Sequence, residues 1–476
     1  MISRNIFLNL NPLDHRYYLS NKEIFDKLSL YLSEDALIKY CIKCEIALLK
    51  SHIDLRFENT EDYKESLDKI EDKVTPEEVY KEEEITQHNI RALVNILKKK
   101  VPHEISHYVH LGATSVDILD TAASLRIKNA VEKVILPAII EVEDFLTEIA
   151  EKEAETPQIG RTHGQFAVPI TFGFAIAEYV SRLGKSIEKI HKNAQDLRGK
   201  LSGAVGGYNA TFLITKNPQG LEERYLNYLS LKPSEHSTQL VEAEYMLRLL
   251  LEINIAFGIL GNLADDLRNL QRSEISEIRE SFKKDQVGSS TMPQKRNPWN
   301  SEHVKSMWKA FSPRVMTFFM DQISEHQRDL SNSASSRFIT DYLAGFTAAA
   351  LRMKKILSSL FIDREKMIGN IRKAGDMCLA EAAYIILAVE GESNAHEIIR
   401  KLTLECEQNN KSLYEVLINN PELWGMITES LGKITDIDPK IFFTNPENYR
   451  GITAEKAVQL SKKYRNSMSS IRKEIL

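Results

Sequence analysis

Met246, Leu249, Ile253, Ala256, Leu260, Leu263, Leu267 and Leu270 step along the chain by alternating threes and fours. That spacing lays one apolar seam along a single helix face, the pattern of a helix packed in a bundle. At 1.5 Å per residue the seam runs roughly 36 Å. Comparable patterns cover residues 115 to 155, interrupted by Pro137, and residues 165 to 198, 298 to 328 and 335 to 361. Five long helices with short polar connections predict an elongated all-α bundle. It spans residues 112 to 362, with smaller helical domains expected at 1 to 111 and 363 to 476. The charge-rich run from Glu61 to Glu84 reads as a solvated helix pair around Thr75-Pro76.

Composition narrows the class without naming a chemistry. A chain of 476 residues can bury a large core. Its 62 basic residues against 67 acidic ones give a net charge of −5, so no global nucleic-acid footprint is expected. No apolar run reads as a bilayer span, and the opening MISRNIFLNLNPLDHRYY lacks the apolar core of a signal peptide. Cys41, Cys44, Cys378 and Cys406 show no paired metal spacing, and they read as reduced thiols. Together these point to a soluble cytoplasmic protein with no membrane partner. The histidines are scattered without ligand partners at helical offsets, so no metal site is expected.

One stretch breaks the helical patterning most sharply: Gly288-Ser289-Ser290-Thr291-Met292-Pro293-Gln294-Lys295-Arg296-Asn297-Pro298. Glycine and two prolines exclude a helix interior or a buried strand, while Pro298 suits the first turn of a new helix. Either a polar linker or an ordered loop over a site would fit.

Four other clusters share this ambiguity. Thr86-Gln87-His88-Asn89 opens a helix, with Thr86 a candidate N-cap. His110-Leu111-Gly112-Ala113-Thr114-Ser115-Val116-Asp117 supplies hydroxyls at a helix start, which suit capping or an anion. Gly160-Arg161-Thr162-His163-Gly164-Gln165 places a histidine where core packing is poor but proton exchange is possible. Arg328 to Arg337 sets hydroxyls between two forked guanidiniums that suit carboxylate or phosphate.

The loop pattern GSS-x-MP-x-K-x-NP resembles the signature of the fumarase/aspartase superfamily of lyases, and the clusters follow in that superfamily's order. In detail the chain is most similar to the adenylosuccinate lyase family. Asn11 to Tyr17, Gln87-His88-Asn89, Thr114-Ser115-x-Asp117, Arg161 to Gln165, Gly203 to Gly206, Thr238-Gln239 and Arg328 to Arg337 carry that similarity over residues 11 to 340. Argininosuccinate lyase shares the MPQK form of the loop but not the Thr114-Ser115-Val116-Asp117 segment, and carboxymuconate cycloisomerases share much of the loop. Two departures stand out. Asn89 occupies the place of the family's aspartate, and Val241-Glu242-Ala243-Glu244 lacks the expected Glu-Pro-(Arg or His)-Asp.

The resemblance implies β-elimination of fumarate from a nitrogen, without a cofactor. It assigns the base to Ser289 and the acid to His163, with Lys295, Glu302 and His88 assisting. A serine base needs its alkoxide stabilised by cations or amides, and closing the loop would strengthen that effect. The implied binding set is Gln87, His88, Asn89, Thr114, Ser115, Gln239, Ser290, Lys295, Arg296 and Asn297, with Arg16, Tyr17, Arg328, Ser333, Ala334, Ser335, Ser336 and Arg337 toward a nucleotide phosphate. A homotetramer whose active sites are shared between subunits is implied as well. The contrary reading is a non-catalytic helical scaffold that kept the fold.

Overall fold

The computed structural model describes residues 5–58, 60–282 and 288–475. After short helices over Arg16–Ser20 and Lys22–Leu32 come α1 (Glu34–Arg56) and α2 (Asn89–Lys100). Next come α3 (Ser115–Ala130) and α4 (Leu136–Lys152), joined through Val131–Ile135 by a π-helical turn. Pro137 therefore does not end the helix. Its missing N–H is absorbed by one wider turn, and the two halves run on as one rod.

A β-hairpin follows, β1 (Pro157–Thr162) paired antiparallel with β2 (Gln165–Thr171). This corrects the helix expected from residue 165, which begins only at Phe172. The β-rich composition of Phe166-Ala167-Val168-Pro169-Ile170-Thr171 and the His163-Gly164 pair account for the strands. Helices α5 (Phe172–Gln195) and α6 (Ala243–Leu270) are the longest uninterrupted α-helices among the described residues. After α6 come strand β3 (Ile278–Arg279), α7 (Trp299–Phe311) and α8 (Ile339–Leu357). Strand β4 (Phe361–Ile362) pairs back onto β3, and α9 (Arg364–Ala374) and α10 (Thr453–Ile475) complete the elements used below. The expected helix over 298 to 328 is shorter, ending in a short helical segment at Met320.

The seam falls where periodicity put it. Leu249, Ile253, Ala256, Leu260, Leu263 and Leu267 are buried in the largest core, against side chains of α4, α5, α7 and α8. Helix α6 is long and apolar enough to cross a membrane by length and composition alone, which qualifies the expectation of no such run. Yet 61% of its most apolar window is buried inside the bundle. A second core joins α1 and α2 to Ile118, Ala122 and Leu125 of α3 and to Leu221, Tyr225 and Leu226. A third lies between residues 379 and 443. Helix α10 leaves that third core and rejoins the bundle, where Tyr464 packs against Gly184 so closely that no Cβ would fit there. Cys41, Cys44 and Cys406 are buried and free, and Cys378 is half-buried and free.

Glu143 of α4 is fully buried, and neither carboxyl oxygen has a hydrogen-bond partner. Burial, reinforced by Asp144 and Glu188, pushes its pKa well above the usual carboxylate value, so the folded protein holds it neutral. The unfolded chain releases that proton above its ordinary pKa, so stability falls as pH rises through that value, by about 1.4 kcal/mol per pH unit. Glu143→Met is expected to raise the thermal midpoint, with the gain over the parent widening from pH 5 to pH 8. A gain independent of pH would show that the carboxyl is not held neutral.

Candidate active site

The expected site residues gather at two places, set at opposite ends of α6. Thr238-Gln239 precede its first turn, and the strand β3 segment and signature loop follow its last. At 1.5 Å per residue its 28 residues separate these places by about 42 Å.

At the first end, Thr114 caps α3 in a capping box, its N–H donating to Asp117 Oδ2 at 2.8 Å. His88, not Thr86, caps α2, while Thr86 donates its hydroxyl to the His88 carbonyl at 3.1 Å. His88 Nε2 then lies 3.4 Å from Ser115 Oγ, which brings the first two clusters together. Gln87 is left-handed, at φ 52°, and its amide donates to the Glu84 carbonyl at 2.8 Å. Asn89 accepts from the Ile90 N–H at 2.7 Å and lines the cavity described below.

Asp117 is fully buried and ion-paired to Lys200, itself fully buried. The same carboxylate accepts the N–H groups of Ser202 and Gly203 at 3.2 Å each. This fastens the Gly203 to Gly206 turn onto the start of α3. Gly206 has φ 79°, and a Cβ there would collide with the Ser237 carbonyl, so glycine is required. The close approach brings up Gln239, whose amide donates to the Ala204 carbonyl at 2.9 Å and accepts from Arg328 at 2.6 Å.

Arg328, Ser333, Ser336, Arg337 and Asn89 line a cavity of about 590 Å³, with Asp120 and Arg126 in its wall. Ser335 instead turns its hydroxyl to Asp321 at 2.7 Å, and Ala334 caps the short helical turn Ser335–Phe338. Val241, within the departure from family pattern, donates its N–H to Asp120 at 3.0 Å. Burial raises the Asp120 pKa to about 6 against that hydrogen bond.

The second end holds the proposed proton-transfer groups. His163 and Gly164 form the two-residue tip of the β1–β2 hairpin, both left-handed at φ 53° and 75°. That conformation fits the tight turn of a twisted hairpin, and it leaves His163 exposed. Ser289 is half-buried, and its Oγ accepts the Met292 N–H at 3.1 Å and the Thr291 N–H at 3.4 Å. Asn297 closes the loop by donating to the Gly288 carbonyl at 2.9 Å, and Gly288 meets the Lys295 carbonyl too closely for any Cβ. Ser290, Lys295 and Arg296 are exposed, and Arg296 lies over the Phe282 ring at 4.8 Å.

Glu302 is exposed in the first turn of α7. Beside it, Tyr17 hydrogen-bonds His303 at 2.9 Å, with Arg16 close enough, after burial and Arg352, to help lower the His303 pKa. No hydrogen bond or ion pair among the described residues links His163, Ser289 or Glu302 to one another or to the Thr114 cluster.

The sequence reading missed the supports: Lys200, Asp120, Glu277 and Glu280. A lone buried charge leaves no periodic signature, although Glu45 amid apolar Ile42, Ile46 and Leu49 was such a signal. It is 1% exposed and pairs with His110 at 2.7 Å.

Two solved structures share this architecture. A fumarate lyase from Mesorhizobium sp. BNC1 superposes with a TM-score of 0.76 at 22% identity, over 92% of this chain and 97% of that one. The 3-carboxy-cis,cis-muconate lactonizing enzyme from Pseudomonas putida does so with the same score and identity, over 96% and 99%. The family model described as lyase matches residues 16–311. The family match and the fold together define a lyase of the fumarase/aspartase superfamily. Residues 324–438 match the model described as adenylosuccinate lyase C-terminal, and adenylosuccinate lyases from Pyrococcus horikoshii and Archaeoglobus fulgidus are 33% and 30% identical, each over 94% of this chain and 96% and 97% of their own. The chain belongs to the adenylosuccinate lyase family.

Removing one member of a buried ion pair leaves the other charge unpaired, a cost of about 3–5 kcal/mol. Lys200→Met is expected to lose that much in urea unfolding and to raise the substrate KM as the Gly203 to Gly206 turn loosens. A loss below about 1 kcal/mol would show that Asp117 is not held as a buried anion.

Proposed function

We propose that this carbon–nitrogen lyase eliminates fumarate from adenylosuccinate to give AMP, and from SAICAR to give AICAR, in purine nucleotide biosynthesis in the cytoplasm. The observation that carries the chemistry is the pair of backbone N–H groups aimed at Ser289 Oγ. A serine hydroxyl is a poor base in water, and two amide donors stabilise the alkoxide that would take the proton.

The Ser289 alkoxide removes the proton from the carbon next to a succinyl carboxylate. The electron pair builds negative charge on that carboxylate, where Lys295, Ser290, Asn297, Thr114, Ser115 and Gln239 would supply donors. As the carbon–nitrogen bond breaks, His163 protonates the departing nitrogen, Glu302 stabilises its imidazolium and His88 assists. Arg16, Tyr17, Arg328, Ser333 and Arg337 hold the phosphate, with forked guanidiniums suited to its oxygens.

These groups cannot meet within one chain, because α6 is a straight rod with the Thr114 cluster at one end and Ser289 and His163 at the other. We infer a homotetramer in which each site draws the Thr114 cluster, Ser289 and His163 from three different chains; the last two share an end of α6, but no hydrogen bond or ion pair among the described residues joins them within one chain. In an argininosuccinate lyase the same separation would hold, but the Thr114-Ser115-Val116-Asp117 segment and the family match favour the purine substrates.

The test is ultraviolet absorbance with adenylosuccinate in EDTA and no added cofactor. Turnover is expected; silence with adenylosuccinate but activity with argininosuccinate would move the reading to the sibling enzyme, and silence with both would favour the scaffold. Ser289→Ala and His163→Ala should each be inactive yet helical and assembled. Reassembled from equal amounts of the two, mixed oligomers should regain about a quarter of parental activity, the fraction of sites that draw both groups from intact chains. No recovery would place both groups on one chain.

A further inference from the structure

Glu277 is fully buried between the end of α6 and strand β3, and four donors converge on its carboxylate. Gln158 of β1 donates to Oε2 at 2.7 Å. Arg161, also on β1, donates to Oε1 at 2.6 Å and to Oε2 at 3.2 Å, a forked ion pair. Asn370 of α9 donates to Oε1 at 2.8 Å and reaches the Ile275 carbonyl with the same amide at 2.9 Å. The backbone is tied as well, since the Glu277 carbonyl accepts the Asp363 N–H at 2.9 Å.

Three residues on, Glu280 does the same for α7. It accepts from the Asn300 side chain at 2.8 Å, from the Ser301 N–H at 2.8 Å and from the Ser301 hydroxyl at 2.6 Å. A carboxylate set on free amides at a helix start is a strong anchor.

An isolated hairpin is marginal in water, and this one projects its tip out of the bundle. Arg161 stands two residues before His163, at the last irregular step of the strand pairing, where the register shifts between Ile159 and Arg161. Gly160 sits at that step with the Val168 carbonyl 2.7 Å from where its Cβ would be. The fork therefore fixes the strand immediately below the His163 tip.

We propose that Glu277 is a positioning residue for His163: its buried carboxylate holds the β1–β2 hairpin against the segment that leads into the signature loop and against α9, and so sets where the imidazole is delivered. This rests on His163 being the acid of the proposed reaction. Misplacing a reacting group by about an ångström can cost on the order of a hundredfold in rate. Losing the hairpin's aim lowers the chemical step while leaving the Arg328 and Arg337 cluster at the other end of α6 untouched.

The experiment uses Glu277→Gln in the full-length enzyme, with Arg161→Lys as a second variant that keeps the charge but loses the fork. The expected result for Glu277→Gln is a kcat lowered by about a hundredfold with KM within about threefold of the parent, at unchanged helicity and assembly size. Arg161→Lys should lose about tenfold in kcat. Mixed oligomers give the readout that a general structural role would not move: Glu277→Gln chains should regain activity with Ser289→Ala chains but not with His163→Ala chains. Recovery with both, or a folded Glu277→Gln enzyme within about twofold of the parental kcat, would overturn the proposal. The His163→Ala with Ser289→Ala mixture is the control. If it fails, the shared-site reading falls by itself, and the kcat and KM of the two variants still decide the role of Glu277.

Discussion

A straight, continuously packed helix cannot bring its own ends together, and that constraint organises this molecule. The seam of α6 is buried from Leu249 to Leu267, so bending the rod would open the core that stabilises it. Residues immediately before and after α6 are thereby held about 42 Å apart. The candidate site residues lie at helix ends, and the two ends of one long rod are far apart. The proposed sharing of a site between copies rests on this separation, since antiparallel rods from different chains can juxtapose ends that one rod separates.

Helix ends are also where the bundle's apolar packing gives out, and there the fold turns to buried carboxylates. Asp117 binds the Gly203 to Gly206 turn, Glu153 binds Arg364 and Thr156, Glu277 binds the hairpin and Glu280 binds α7. Each satisfies several donors at once. That is the condition under which a buried charge is tolerated, because desolvation is offset only when its hydrogen bonds are complete. Glu143 shows the contrast. With no donor to meet, it is held neutral in the core instead.

The rods were legible because periodicity reports burial directly, as Leu249, Ile253 and Leu260 show. The loop was legible because glycine and proline at Gly288, Pro293 and Pro298 exclude regular structure. The hairpin was not, since residues 166 to 170 form an apolar run too short for periodicity to separate strand from helix. Its decisive signal was His163-Gly164, two residues suited to left-handed conformation between strand-like neighbours. The carboxylate anchors were illegible for another reason. Glu277 and Glu280 look like surface residues in a charged stretch, and only the convergence of Gln158, Arg161 and Asn370 from remote positions distinguishes them. Such information is tertiary and leaves no local trace.

The two departures from family pattern take on a physical sense in the same terms. Asn89 lines the cavity that holds Arg328 and Arg337, Val241 lines a second cavity that shares Asp120 and Arg126 with it, and neither contributes a charge. The carboxylates in that wall are Glu34, Glu83 and Asp120, and Asp120 is already engaged by the Val241 N–H. With Arg126, Arg328 and Arg337 opposite, the cavity balances its cations with anions instead of presenting a net positive field. An anionic ligand entering it must therefore be recognised by forked geometry and by exchange of hydrogen bonds, notably the one from Arg328 to Gln239, since long-range attraction toward an acidic protein supplies little. In the proposed binding of phosphate, discrimination falls to the shape of the donors, and the residues that hold Arg328 then matter as much as the arginine itself.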